Sequence, residues 1–122
     1  MPLTATLGFE AVEFSAERVV LAVDFDDKLC TSGGLLHGGA VLALADSAGG
    51  ACAFLNLPDG ATGTSTIQSA TNFLGGVRDG RVLATTIPIH VGSTTIVVET
   101  EIRHGDRLVA KTIQTQAVLR PR

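Results

Sequence analysis

Gly38–Leu55 reads GGAVLALADSAGGACAFL, and Asp46 is the one charged residue in the stretch. Apolar residues occupy every side of a helix drawn over these positions, so such a helix has no solvent face. We therefore expect a long helix that is enclosed on every side by the rest of the fold. A membrane span is the alternative, but the central carboxylate and the many glycines and alanines favour a helix buried in protein.

The segments on both sides of this helix have the composition of β-strands. Residues 9–14 and 17–24 precede it and are predicted as two short strands. Four runs rich in Thr, Val and Ile follow it, at residues 64–74, 81–91, 94–103 and 108–119. Glycine-containing turns between these runs predict antiparallel hairpins. Pro88, inside one run, requires an edge position or a bulge.

This order of elements predicts an α+β fold. A helix that is apolar on all sides can be hidden by one strongly curved antiparallel sheet that wraps around it. Residues 25–36 and 57–63 are predicted loops, and residues 1–122 are predicted to form one domain. A domain of this size buries only about two-thirds of its unfolded surface, so association with further copies would stabilise it.

The composition argues against several classes of function. The net charge is −3 and no cluster of Lys or Arg is present, so we expect no nucleic-acid partner. Cys30, Cys52 and three scattered histidines form neither a disulfide framework nor a metal-ligand pattern, and no metal or cofactor is expected. The first residues do not resemble a secretory signal, so we expect a soluble, cytoplasmic protein without a membrane partner.

His37, Gly38 and Gly39 form the predicted start of the helix. Two adjacent glycines allow a ligand or another chain to approach the backbone closely. The first N–H groups of a helix have no intrahelical partner and lie at the positive end of its dipole. They can therefore stabilise the oxyanion that forms when an acyl carbonyl is attacked, and loss of one such donor raises the barrier by about 3 kcal/mol.

Asp46 is predicted to be buried, and burying an unpaired carboxylate costs several kcal/mol. A carboxylate in an apolar pocket can act as a nucleophile or as a base that activates water, and both roles stay open. The structural alternative is an Asp at a subunit contact that is hydrogen-bonded to Ser, Thr or backbone donors.

The spacing between the helix start and this acid predicts a shared site. His37 and Asp46 are nine residues apart, which corresponds to about 13–14 Å along a helix axis and half a turn around it. The two ends of one helix therefore cannot touch one substrate carbon. The missing half must come from a second copy, so we expect the site at a two-fold dimer interface.

Other positions near the helix have two interpretations each. His37 is a general acid or, as we favour, a residue that orients the loop through a hydrogen bond, whereas His90 and His104 are ordinary sheet or surface residues.

Gly49 and Gly50 in mid-helix should each destabilise the helix by about 1 kcal/mol relative to Ala. We expect a close approach to the backbone there, by a partner's helix or strand or, as the second possibility, by a substrate tail.

The His-Gly-Gly start with an acid nine residues after the His resembles the phenylacetate-pathway branch of the hotdog acyl-CoA thioesterases. Residues 66–74, TIQSATNFL, are similar to a second signature of that family, a Ser/Thr-headed strand that ends in Asn-Phe-Leu. The resemblance covers residues 17–119. It implies a hotdog fold, a curved antiparallel sheet around one long central helix, and a homodimer or a dimer of dimers (homotetramer).

The resemblance also implies roles for individual residues. Asp46 falls on the family's nucleophile or base, and Gly38 on the glycine whose N–H polarises the thioester carbonyl, with Gly39 adjacent. Thr66 falls on the hydroxyl residue that holds the attacking water, and His37 on the motif histidine. In the family these two halves come from different subunits, in agreement with the distance between them along one helix.

Three positions depart from the family pattern. Thr31 stands where the family usually has Asn or Gln, and its hydroxyl could hold the thioester or water over a shorter reach. Gly-Gly at residues 75–76 replaces a common Arg-Pro, and Ser93 replaces a basic residue. Because such basic groups commonly meet the phosphates of CoA, Arg78 and Arg81 are the predicted substitutes.

The predicted activity is hydrolysis of an acyl- or aryl-CoA thioester to free acid and CoA. The Gly38 and Gly39 amides of one subunit and Asp46 of the other would form the site, with Gly50 beside a substrate tail. Two alternatives stay open: a hotdog hydratase or dehydratase that pairs a His with the acid, and a non-catalytic acyl-CoA-binding protein.

Overall fold

Six strands form one antiparallel sheet beside one long helix in the computed structural model, which describes residues 1–122. A short helix, α1 (Pro2–Leu7), begins the chain. The strands β1 (Glu10–Phe14) and β2 (Val19–Asp24) follow, and a 3-10 turn (Asp27–Leu29) leads toward the long helix α2 (Gly38–Leu55). The remaining elements are β3 (Gly63–Phe73), β4 (Arg81–Val91), β5 (Thr95–His104) and β6 (Arg107–Leu119).

The strand order across the sheet is β1-β2-β4-β5-β6-β3, and every neighbouring pair is antiparallel. Helix α2 connects β2 to β3, which lies at the edge opposite β1. β3 pairs with β6 from Gly63, opposite Leu119, to Phe73, opposite Ala110. Because β3 has a neighbour on one side only, its other edge presents unpaired backbone groups.

The core lies between the inner face of the sheet and one side of α2. Alternate residues of β5 point inward and are fully buried, among them Ile96, Val98 and Ile102. Burial of such a side chain contributes about 1.5–3 kcal/mol. Thr86 and Thr100 face each other in this layer, and their hydroxyls pair at 2.6 Å, which satisfies two buried polar groups. The helix residues opposite are mostly small: Val41, Leu44, Ala45, Ala48, Gly49, Ala51, Cys52 and Ala53.

The predicted α+β fold is confirmed, and α2 and β4 have the predicted bounds. The other strands differ from prediction by one or two residues at an end. Helix α1 is not predicted by the sequence, because six residues are too few to show a helical period. Its signals are Pro2 in the first turn and Gly8 as a left-handed cap with a φ of 77°.

Pro88 lies where β4 has lost one of its neighbours. β2 pairs with β4 only as far as Thr86, which is opposite Val19. The register between β4 and β5 then shifts between Pro88 and His90. A residue without an N–H is tolerated at such a position, and the predicted bulge is confirmed.

The prediction that α2 is enclosed on every side is wrong for the single chain. The sheet covers one side, while Leu42, Asp46 and Phe54 are exposed on the other, and their spacing of four and eight residues places them on one helical face. We call these three residues the open face of α2. The helix has the length and hydropathy of a membrane span, but it is partly buried against the sheet, as a core helix is.

Candidate active site

His37 caps the start of α2 with its side chain. Its Nδ1 accepts a hydrogen bond from the Gly39 N–H at 2.7 Å, and its backbone carbonyl accepts from Ala40 and Val41. An Nδ1 that accepts places the proton of the neutral ring on Nε2. The imidazole is thus fixed by the helix start, as expected for the orienting role that we favour from the sequence.

Gly38 and Gly39 differ in what their amides can do. The Gly39 N–H is bonded to His37, which argues against the prediction that it binds substrate. The Gly38 N–H makes no hydrogen bond within the chain. A Cβ at Gly38 would lie 3.4 Å from the ring of Phe73, so the end of β3 packs close to the helix start. One free amide, that of Gly38, therefore remains for a ligand.

Thr31 shapes the loop before α2. Its Oγ1 accepts a hydrogen bond from the Gly33 N–H at 3.2 Å, and its N–H donates to the carbonyl of Leu35. The loop is anchored further on, where Leu36 donates to the carbonyl of Val77 at 2.8 Å. Thr31 is exposed, and its hydroxyl keeps its own hydrogen available for donation.

Asp46 is exposed in the single chain, so the predicted burial of its carboxylate is wrong for one copy alone. The carboxylate is nevertheless fixed, because Oδ1 accepts a hydrogen bond from Gln114 Nε2 at 2.9 Å. The second oxygen, Oδ2, makes no hydrogen bond within the chain. Asp46 thus offers one held oxygen and one free oxygen on the open face of α2.

Thr66 is connected to Asp46 through two side chains of β6. Gln116 Nε2 donates to Thr66 Oγ1 at 2.7 Å and to Gln114 Oε1 at 3.3 Å. The structure therefore joins two of the sequence-predicted site residues through Gln114 and Gln116, which the sequence analysis missed. The sequence does contain a signal for them. Gln114 and Gln116 occupy alternate positions of β6, on the face whose other residues, such as Ala110, are buried in the core.

Gly49 is required by Gln114. A Cβ at Gly49 would overlap Gln114 Oε1 and lie 2.9 Å from its Cδ. The prediction that a partner or a substrate tail approaches this position is wrong, because the close group is a side chain of the same chain. A Cβ at Gly50, in contrast, would meet nothing within 4 Å. Gly50 lines an open groove of about 490 Å³ together with Met1, Phe14, Ala51, Phe54, Gly63 and Thr64.

Residues 33–111 match the thioesterase superfamily, a stretch that runs from the loop before α2 into β6. The chain belongs to the thioesterase superfamily. A curated relative is the candidate esterase ComA2 of Bacillus subtilis (strain 168), which is 38% identical over 120 residues, 97% of this chain and 94% of that protein.

Solved structures similar to this thioesterase-superfamily chain have the same fold. Thioesterase HI1161 from Haemophilus influenzae has a TM-score of 0.90 at 28% identity, covering 97% of this chain and 82% of that one. A mutant of the phenylacetic acid degradation protein PaaI from Thermus thermophilus has a TM-score of 0.90 at 22% identity, covering 98% and 100%. The latter likeness concerns the fold alone. The resemblance to hotdog thioesterases is confirmed, and the relatives support a hydrolase.

Arg81 does not offer a free positive charge in this superfamily member. Its guanidinium forms ion pairs with Glu10 of β1 at 2.7 Å and with Asp24 of β2 at 3.0 Å. The hydrogen bonds, first to Glu10 and then to Asp24, raise the pKa of Arg81 above its ordinary value. Two carboxylates already compensate its charge, which argues against the predicted contact with a CoA phosphate.

Arg78 lies in a different environment. It makes no ion pair and lines a cavity of about 540 Å³ with Leu35, Gly76, Asp79, His104 and Arg107, which we call the basic cavity. Arg107 has no carboxylate partner and donates to the Gly76 carbonyl at 2.7 Å. A Cβ at Gly75 would lie 2.9 Å from Arg107 Nη1, so glycine leaves room for this arginine. The sequence analysis missed Arg107, because it lies 31 residues from Gly76.

Neither cysteine fits a catalytic nucleophile. Burial raises the pKa of the Cys52 thiol, and burial followed by the charges of Asp27 and Asp26 raises that of Cys30. A thiol with a raised pKa carries little thiolate near neutral pH. Asp46 is therefore the candidate nucleophile or base on the open face of α2.

Proposed function

We propose that this protein hydrolyses an acyl- or aryl-CoA thioester to the free acid and CoA, at a site shared by two subunits. The observation that carries the proposal is the placement of two unused groups on α2. The free N–H of Gly38 begins the helix, and the free Oδ2 of Asp46 lies on its open face eight residues later. Eight residues span about 12 Å along a helix axis, so one copy alone cannot apply both groups to one carbonyl.

Two exposed features support association with a second copy. The open face of α2 is apolar around Asp46, and Phe54 on it is 57% exposed. β3 is an edge strand whose bulged residue, Ile67, is 62% exposed. A two-fold interface built from these elements would cover the helix and give each Asp46 a neighbouring helix start.

The proposed reaction needs one donor and one carboxylate. The Gly38 N–H of one subunit donates to the carbonyl oxygen and stabilises the negative charge that develops there. Asp46 of the other subunit either takes a proton from the attacking water or adds to the carbonyl carbon itself. When Asp46 acts as the base, water forms the new C–O bond, the C–S bond breaks and the CoA thiolate takes up the proton that Asp46 removed from water. When Asp46 adds directly, the C–S bond breaks to leave an acyl–Asp46 anhydride. Water then hydrolyses the anhydride to the free acid and the Asp46 carboxylate, and its remaining proton goes to the CoA thiolate. Thr66 Oγ1 accepts from Gln116 and keeps its own hydrogen to donate to the water.

The two cavities support the two ends of such a substrate. The apolar groove beside Gly50 begins one helical turn after Asp46 and includes Phe14 and Phe54, which suits an acyl or aryl group. The basic cavity holds Arg78 and Arg107, neither of which is in an ion pair, beside one carboxylate, that of Asp79, which contacts His104 at 3.3 Å. The two guanidinium groups suit the phosphates of CoA. Leu35 lines this cavity and belongs to the loop that leads into the helix start.

The test is thiol release from a panel of short-chain, medium-chain and aromatic acyl-CoAs. The wild type should release CoA, and Asp46→Asn should lower kcat by about 100-fold or more because the nucleophile or base is lost. Asp59→Asn removes an exposed carboxylate from a loop and serves as the matched control. A wild type no faster than Asp46→Asn on every thioester would contradict the proposal, and hydration of an enoyl-CoA instead would identify the hydratase alternative.

A further inference from the structure

We propose that Gln114 is a positioning residue for the Asp46 carboxylate and that Gln116 extends the same relay to Thr66. The inference rests on the proposed function, because it assigns these amides to the reaction at that site. Three hydrogen bonds carry it: Gln114 to Asp46 at 2.9 Å, Gln116 to Gln114 at 3.3 Å and Gln116 to Thr66 at 2.7 Å.

The direction of these bonds is fixed by chemistry. An ionised carboxylate can only accept, so Gln114 presents its NH₂ group to Asp46 and its carbonyl to Gln116. Gln116 then uses both hydrogens of its own NH₂ group, one for Gln114 and one for Thr66. The arrangement holds Asp46 Oδ1 and leaves Oδ2 free, and it leaves the Thr66 hydroxyl hydrogen free. Both free groups are those that the reaction requires.

The burial of the two amides is unfavourable for stability in itself. Gln114 is 1% and Gln116 is 2% exposed, on the face of β6 that otherwise contacts the core. Desolvating a primary amide is unfavourable unless every polar atom finds a partner, and no buried polar side-chain atom of this chain lacks one. An apolar pair would pack here without that requirement. Gly49 is unfavourable too, because glycine within a helix is less stable than alanine, yet only glycine leaves room for Gln114 beneath the helix.

The first experiment separates positioning from packing. Gln114→Met keeps the volume and removes the donor, and Gln114→Glu keeps the shape and places a second carboxylate beside Asp46. Both should lower kcat about 10- to 100-fold with KM changed less than about threefold, since the substrate is still bound while the carboxylate is misplaced. Thr112→Val, on the same buried face of β6 and bonded only to Thr71, is the control and should keep the wild-type kcat.

Gly49→Ala gives an independent approach to the same contact. The new methyl must displace Gln114, so we expect a lower melting temperature and the same loss of kcat as in Gln114→Met. Combining it with Gln114→Ala removes the clash and should restore much of the melting temperature while kcat stays low. A merely structural glutamine would let stability and kcat recover together, and that outcome would overturn the proposal.

A readout without turnover distinguishes failure of the relay from failure of the proposed function. The side-chain NH₂ resonances of Gln114 should shift in Asp46→Ala and stay in place in Asp59→Asn when observed by ¹⁵N-correlated NMR. Unmoved resonances in Asp46→Ala would remove the relay even if the wild type hydrolyses thioesters. If the Gln114 resonances shift in Asp46→Ala but the wild type releases no thiol, the hydrogen bond is present and the proposed function is wrong. The relay then has no catalytic role.

Discussion

At the scale of single residues, the proposed chemistry depends on one backbone N–H that nothing else uses. His37 takes the neighbouring amide of Gly39 for the helix cap and leaves that of Gly38 free. A helix start always has spare donors, but this side chain decides which donor stays available. The His37 cap therefore determines that the Gly38 amide, and not the Gly39 amide, is available to a ligand.

Gly38→Pro tests this amide without disturbing the helix. Proline at the first helical position lacks an N–H and fits helical geometry, and His37 already has the extended backbone, with φ −64° and ψ 135°, that a residue before proline prefers. We expect kcat for thiol release to fall about 100- to 1,000-fold. Gly38→Ala adds a Cβ at an ordinary 3.4 Å from Phe73 and keeps the N–H, so it should lose far less. Equal losses in the two variants would assign the effect to the side chain and not to the amide.

The sequence predicts the residues of this site that belong to local motifs and misses those that come from distant strands. Gly38, His37 and Asp46 lie within ten residues and are recognisable by spacing. Gln114 reaches Asp46 across 68 residues, and that contact depends on the register of β6, which the sequence does not specify. For the same reason Gly49 is interpreted wrongly until Gln114 is placed beneath it.

At the scale of elements, the sequence predicts that α2 is apolar and packed against the sheet, but not how much of the helix the sheet of the same chain covers. The strands that follow α2 are predicted well, because Thr, Val and Ile in runs broken by glycine turns are typical of hairpins. The sheet nevertheless contacts only one side of α2, and the open face remains exposed to solvent in the single chain. Hydrophobicity alone does not distinguish burial within a chain from burial between chains.

The two edge strands provide a matched test of the interface. Ile67 of β3 and Val12 of β1 are both exposed and both lie at β-bulges, on opposite edges of the sheet. Ile67→Lys should convert the proposed dimer to single chains, because a charge at a two-fold contact faces its own copy. The rate of thiol release at micromolar protein concentration should fall at least about tenfold in the same variant. Val12→Lys should change neither the association state nor the rate of thiol release. Analytical ultracentrifugation gives the mass, and an Ile67→Lys protein that stays assembled would exclude β3 from the interface.

At the scale of the whole molecule, a shared site predicts complementation between two inactive variants. A subunit with Gly38→Pro still carries Asp46, and a subunit with Asp46→Ala still carries the Gly38 amide. A mixed dimer then has one site with both groups and one with neither. Random 1:1 pairing makes half of the dimers mixed, so co-expression should restore about a quarter of the wild-type activity. If each chain built its own site, the mixture would be as inactive as its parents.

The open face of α2 also bears on how long a newly made chain survives. Until something covers them, Leu42 and Phe54 remain exposed to water and to the chaperones and proteases that recognise apolar surface. In the proposed dimer a second copy covers these side chains, and a higher concentration of chains shortens that interval because two copies meet sooner. For the proposed dimer, low expression would therefore lower the amount of active protein in two ways: fewer dimers form, and the remaining single chains are degraded faster.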